Sequence, residues 1–251
     1  MPNVKMVEVT EENINKYPPR CFLKTDNPGF LAKVEWLKRR FSEGLRIKQT
    51  YVDEKLIGFI EYVYGENAWR AVDSKDYLFI HCIWIYPNAN KNKGYASLLV
   101  NEVIKDAEKE GKLGVSVVAS EGAFMADKRL FLKNGFEIVE ESKPFSLLVK
   151  KLKDGDLPKF RDWKKQLEKF NGFHILYSNQ CPWVSRFLLE IRGVIKKKDL
   201  KLRITELKTP KDAQNAPSIY ASFNLINNGK LLADHYISVR RFESILKKEG
   251  I

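Results

Sequence analysis

A basic, glycine-containing turn is the most informative stretch of this sequence. The apolar run Ile83-Trp84-Ile85-Tyr86 ends at Pro87, a polar loop continues through Lys91-Asn92-Lys93, and a helical pattern opens at Gly94-Tyr95-Ala96-Ser97. The first turn of a helix leaves backbone N–H groups without intrahelical partners and carries the positive end of the helix dipole, so such a junction can hold phosphate groups. Lys91 and Lys93 add charge. Gly94 and Ala96 are small enough to let a bulky pyrophosphate approach the main chain.

Glu61, between Ile60 and Tyr62 in an apolar run, is a candidate general base, because a desolvated carboxylate has its pKa raised. The same position also reads as a solvent-facing strand residue, the more ordinary outcome. His81 and Cys82 sit together in the run Tyr77 to Tyr86. Strict alternation places His81 with Phe79, Ile83 and Ile85, and Cys82 with Ile80, Trp84 and Tyr86, so both line one cleft only if a bulge intervenes. His81 reads first as a hydrogen-bonded core residue. Cys181 starts a helix after the apolar run Phe173 to Tyr177, and the dipole and N–H groups there are expected to lower its pKa. It should therefore be the most reactive of Cys21, Cys82 and Cys181, Cys82 being screened inside its strand.

The elements that must position these groups follow from periodicity. Lys5 to Val9, Arg46 to Val52, Leu56 to Tyr64 and Tyr77 to Tyr86 read as strands, with helices over Glu11 to Lys16 and Pro28 to Ser42. Ala96, Leu99, Val100, Val103, Ile104 and Ala107 share one helical face that Gly111 terminates. A strand (Val115 to Ala119), a helix (Ala126 to Lys133) and a closing pair (Phe136 to Val139, Phe145 to Val149) follow. The order suits an antiparallel sheet covered by helices. Charge, Gly and Pro around Lys150 to Pro158 mark a domain break. Beyond it, Phe160, Trp163, Leu167 and Phe170 have helical spacing. Then come a strand, the Cys181 helix, a strand at Leu200 to Leu207, a hairpin about Asn227-Asn228-Gly229 and a last helix from Ser238. The expected division is residues 1–153, a linker helix over 154–171, and residues 172–251.

Lys and Arg number 44 against 32 Asp and Glu, a net charge of +12. That balance suits a polyanionic partner or a phosphate-bearing cofactor, and equally a well-solvated surface. Nucleic acid has the charge in its favour but no recognised motif. No apolar stretch reaches the length of a membrane span, and the start lacks the apolar core of a signal peptide. Three cysteines far apart fit neither a disulfide framework nor a familiar zinc spacing. A cytoplasmic setting, no membrane and no metal are the expectations.

The segment Lys91-Asn92-Lys93-Gly94-Tyr95-Ala96, preceded by an apolar strand and followed by Leu130-Phe131-Leu132-Lys133-Asn134-Gly135-Phe136, resembles the GNAT family of N-acetyltransferases over roughly residues 5 to 150. The resemblance implies an α/β (α+β) fold with a mixed sheet and helices on both faces. It implies that acetyl-CoA lies in a V-shaped opening between the strand around Trp84 and a parallel strand over Val115 to Val118. The backbone of Trp84, Ile85 and Tyr86 would pair with the pantetheine arm, and Lys91, Asn92, Lys93, Gly94, Tyr95, Ala96 and Ser97 would hold the pyrophosphate. Two departures stand out. Lys91 replaces an Arg or Gln and loses the planar fork. Phe131 occupies the place of a tyrosine that protonates the departing thiolate in many relatives.

Tyr177-Ser178 leading to Cys181-Pro182-Trp183 resembles the active loop of thioredoxin and glutaredoxin folds over roughly residues 172 to 249. Val184 stands where a second cysteine belongs, so a single thiol remains. The two halves together resemble acetyltransferases with a YoaP-like C-terminal domain. The resemblance implies an acetyl-CoA-dependent N-acetyltransferase acting on a small-molecule or protein amine by direct attack in a ternary complex, with a monothiol accessory domain. Glu61, Cys82 and Cys181 are the candidate catalytic residues. The alternative is a CoA-binding or thiol-sensing module with little transfer activity, which Phe131 and Val184 both favour.

Overall fold

The computed structural model describes residues 3–19, 21, 24–122 and 125–251. Up to residue 160 the chain runs β1 (Val4–Val9), α1 (Pro28–Phe41), β2 (Arg46–Val52), β3 (Lys55–Tyr64), β4 (Val72–Asp73), β5 (Tyr77–Ile85), α2 (Tyr95–Lys109), β6 (Gly114–Ser120), α3 (Lys128–Lys133), β7 (Glu137–Ser142), β8 (Phe145–Lys151) and β9 (Lys159–Phe160). It continues with α4 (Trp163–Leu167), β10 (Phe173–Tyr177), α5 (Pro182–Glu190), α6 (Arg192–Lys197), β11 (Leu202–Glu206), α7 (Pro210–Gln214), β12 (Phe223–Asn227), β13 (Lys230–Ala233) and α8 (Val239–Glu249). Two compact units result. Met1–Pro19, Lys38–Ala68 and Val72–Phe160 form the first; Arg20–Leu37, Trp69–Ala71 and Arg161–Ile251 form the second. Two stretches of the N-terminal part thus group with the C-terminal part, an arrangement no local composition signals.

The first unit is built on a seven-stranded sheet ordered β1-β2-β3-β5-β6-β8-β7. It is mixed, not antiparallel throughout as the element order suggested, because β5 and β6 run parallel. The crossover that parallel strands require is supplied by α2. Its apolar face, Leu99, Val100, Val103, Ile104 and Ala107, is buried against Ile60, Tyr62, Leu78 and Ile80. Polar contacts fix the same helix along its length: the Tyr62 hydroxyl donates to Asp106 Oδ2, Lys48 Nζ reaches Asp106 Oδ1 at 2.9 Å, and Arg46 grips Glu110 through both terminal nitrogens. β6, buried along its whole length, has the continuous apolar character of a strand covered on both faces.

Two expected helices fail for identifiable reasons. Over Glu11 to Lys16 only turns form. The Asn13 side chain there accepts from Thr10 N at 2.9 Å and donates to Glu8 O at 3.0 Å, and such local bonds compete with a helix. The aromatic stripe Phe160 to Phe170 yields only the five residues of α4, because Phe160 pairs with Val72 in a short two-stranded sheet.

In the second unit the sheet order is β11-β10-β12-β13. β10 and β11 are parallel, while β12 and β13 join antiparallel. Asn228 and Gly229 both take positive φ, as a two-residue hairpin turn demands. Phe187 of α5 packs edge-on against Phe223 and Phe242, with ring centroids 5.5 and 5.8 Å apart, within a core that includes Ile175, Leu225 and Leu246. The first turns of α1 and α5 lie so close that a Cβ on Gly29 would stand 2.2 Å from Pro182 O. Only glycine fits there.

Candidate functional site

β5 pairs with β6 only from Tyr77–Gly114 to Ile80–Val117. Beyond that point β5 stays paired to β3 as far as Ile85, and β6 stays paired to β8 as far as Ser120. Each strand follows a different neighbour, so a V-shaped opening forms between them, with His81 the first β5 residue past the fork.

At the same place the β3–β5 register slips. Glu61 faces Cys82, yet Tyr62 faces Ile80, leaving His81 as the extra residue of a β-bulge. Cys82 therefore shares a sheet face with Glu61. His81 shares it too, its Nδ1 lying 3.5 Å from Glu61 Oε1 with both side chains fully buried. The condition for His81 and Cys82 to line one cleft is met. Glu61 is not the solvent-facing strand residue that alternation suggested. Cys82 is half-buried, not screened within its strand, because the outer half of β5 has lost the cover of β6.

Past β5, Asn90 Nδ2 donates to Tyr86 O at 3.1 Å, while Tyr86 N donates to Ile57 O at 2.8 Å. Tyr86 thus has both main-chain groups engaged, unlike the simple picture in which Trp84, Ile85 and Tyr86 all offer their backbone to a ligand. Lys91, Asn92, Lys93 and Gly94 are exposed, and Lys91 and Lys93 make no ion pair among the described residues. Gly94 caps α2 with φ of 84° and no side-chain cap follows, so the first-turn N–H groups of Tyr95, Ala96 and Ser97 open outward without an internal acceptor. A Cβ on Gly94 would meet nothing within 4 Å. Ser97 Oγ accepts from Asn134 Nδ2 at 3.1 Å, which leaves its own proton for a ligand. Positive charge, uncapped N–H groups and open space fit a pyrophosphate.

Phe131 lies fully buried, edge-on to Phe136 at 5.5 Å, in the core beneath α2. Beyond the end of β6 a cleft of about 560 Å³ is lined by Ser120, Glu121, Lys128, Glu141, Lys143 and Phe145, among others. Hydrogen bonds from Ser146 and then Lys128 hold the Glu141 carboxyl below its ordinary range. This cleft has no signature in the sequence.

Cys181, in the second unit, departs from expectation. Burial pushes its thiol pKa up, outweighing the N–H groups of Trp183 and Val184 and the charges of Lys33 and Arg70. The helix end alone suggested a lowered pKa; desolvation reverses the sign. Trp69 and Arg70 are buried in the second unit. Trp69 packs edge-on against Trp36 at 5.0 Å. Arg70 bonds Gln180 Oε1 at 2.5 Å and lies 4.7 Å above the Tyr220 ring.

None of the three cysteines is in a disulfide. No helix among the described residues is long and apolar enough to cross a membrane, and no group of three or more His, Cys, Asp or Glu gathers to hold a metal among them.

Comparison with known proteins gives matching results. Residues 11–136 match the model of the acetyltransferase (GNAT) family, and residues 201–244 match a YoaP-like model. An "Uncharacterized N-acetyltransferase YoaP" of Bacillus subtilis (strain 168) is 28% identical over 248 residues, spanning 96% of this chain and 97% of that protein. Among solved structures, the PaiA N-acetyltransferase of Thermoplasma acidophilum in complex with coenzyme A is 15% identical, covering 59% of this chain and 99% of its own, with a TM-score of 0.43. AAC(6')-Iy in complex with a bisubstrate analogue is 16% identical, covering 56% and 95%, with a TM-score of 0.45. The family match extends over half of the sequence and contains the fork, the bulge and the glycine-led helix, and on it this chain belongs to the GNAT family of N-acetyltransferases, enzymes that draw their acetyl group from acetyl-CoA.

Proposed function

We propose that the first unit transfers the acetyl group of acetyl-CoA to a primary amine, of a small molecule or of a protein, by direct attack in a ternary complex. The observation that carries this reading is the fork after Ile80–Val117 leading to the uncapped start of α2. Lys91 to Ser97 hold the pyrophosphate, and the β5 backbone at Trp84 and Ile85 receives the pantetheine arm. Bound acetyl-CoA supplies an activated acetyl group as a thioester. Glu61, buried beside His81, takes by way of a water the proton that the attacking nitrogen loses, and Cys82 lines the thioester end. With Phe131 in the core, water protonates the departing thiolate.

The second unit is a thioredoxin-like accessory domain in this proposal. Its support is the β-α-α-β-α-β-β-α order from β10 to α8, with one parallel and two antiparallel strand pairs, and Cys181 as N-cap of α5. Cys181 acts there as a single thiol. Unbridged cysteines support a cytoplasmic setting. A reading as a CoA-binding or thiol-sensing module with little transfer draws on the burial of Phe131 and Val184.

The deciding experiment measures acetyl-CoA binding by calorimetry and, separately, CoA release across a panel of primary amines. Binding with amine-dependent release supports the transferase. Binding without release from any amine supports the module. No binding defeats both.

A further inference from the structure

The bulge at the fork brings a thiol, an imidazole and a carboxylate to one face of the sheet. Cys82 stands opposite Glu61 in the β3–β5 register, at a separation where cross-strand side chains interact. Glu61 in turn is 3.5 Å from His81. Nucleophile, base and a group that orients the base are the parts of an activated nucleophile. Of the three, Cys82 alone is half-buried, while the side chains of Glu61 and His81 are fully buried. The thiol is thus the member of the group that a molecule in the opening can touch. Its place, two residues past the last β5–β6 pair, puts it at the inner end of a fork whose outer end carries the glycine-led phosphate loop.

We infer that Cys82 accepts the acetyl group itself when no amine is bound, forming an acetyl-cysteine thioester. This rests on the proposed position of acetyl-CoA in the fork. Cys82 Sγ bonds to the acetyl carbonyl carbon as the bond from that carbon to the CoA sulfur breaks. The thiol proton passes to the Glu61–His81 pair and from there to the CoA sulfur. One thioester replaces another, so no oxidant, reductant or further reactant is needed. Reversal with free CoA returns the acetyl group, which makes Cys82 an acetyl store at the mouth of the site.

The full chain is incubated with acetyl-CoA and no amine, and its intact mass, peptide map and free CoA are followed, with denatured chain as the control for chemical acetylation. The expected result is one acetyl group per chain, on the Cys82 peptide of the unaltered protein, with one equivalent of CoA released and the acetyl group removed by excess CoA. Glu61→Gln should slow its formation about a hundredfold, the scale of a lost acid–base group, and Cys82→Ala should abolish it. Peptide mapping of the unaltered chain locates the group whether or not the variants fold. Calorimetric binding of acetyl-CoA without acetyl-Cys82, or acetylation of Cys21, Cys181 or lysines instead, overturns the inference while leaving the cofactor site standing. Absence of binding overturns both.

Discussion

Asn134 Nδ2 donates to Ser97 Oγ at 3.1 Å and to Leu130 O at 2.7 Å, so the residue that ends α3 also steadies the first turn of α2. That turn is where the pyrophosphate is proposed to sit, and its geometry depends on a side chain 37 positions away. Asn134→Ala should cost about 1 kcal/mol for the two lost hydrogen bonds. Thermal denaturation will show the loss, and calorimetry should show acetyl-CoA binding weakened a few-fold, with Ser97→Ala weakening it in the same direction.

Gly94 separates strain from occupancy. Its φ of 84° penalises any residue with a Cβ by about 1 to 2 kcal/mol, but no neighbour stands in the way of that Cβ. Gly94→Ala should therefore lose stability and keep much of its acetyl-CoA affinity. Gly94→Glu should lose similar stability and bind acetyl-CoA at least about tenfold more weakly, since one added charge repels the phosphates across the exposed loop. Equal affinity in the two folded variants would remove Lys91 to Ser97 from the cofactor site.

At position 131 the family pattern would restore a hydroxyl by Phe131→Tyr. The ring is fully buried against Phe136, so the new hydroxyl enters the core, at a cost of about 1 to 3 kcal/mol if it finds no partner. The expected outcome is a lower midpoint in urea, with CoA release no faster than in the unaltered chain. A rise in CoA release with unchanged stability would bring the position back to the leaving thiolate.

The Cys181 thiol, pushed up by burial, should alkylate slowly at neutral pH and speed up only as pH climbs above the ordinary thiol range of about 8.5. The linked effect on stability has a fixed sign. A thiol whose pKa is higher folded than unfolded contributes stability that is present below the unfolded value and is lost as pH rises through the folded one. Urea unfolding of the whole chain should thus show stability falling above about pH 8.5, and Cys181→Ala should flatten that decline.

What the sequence determined by itself is local. The glycine-led start of α2, its apolar face from Leu99 to Ala107 and the Asn228-Gly229 hairpin are legible because each depends on residues within a turn or two of one another. The same holds for the sequence of strand, basic loop and helix that places Lys91 and Lys93 beside Gly94.

Tertiary structure decided whatever depends on a partner far along the chain. Alternation treats Glu61 as outward and separates His81 from Cys82; a one-residue slip between β3 and β5 buries the first and unites the other two, and register is a property of the pair of strands. A helix end argues for a reactive Cys181, yet surroundings distant in sequence desolvate it and reverse its shift. Trp69 and Arg70 join a compact unit with Trp36, Gln180 and Tyr220, contacts that no window of sequence contains. Burial is set by what the folded chain places opposite a residue, and that is why the surroundings of Glu61, His81 and Cys82, more than the basic loop before α2, had to wait for the fold.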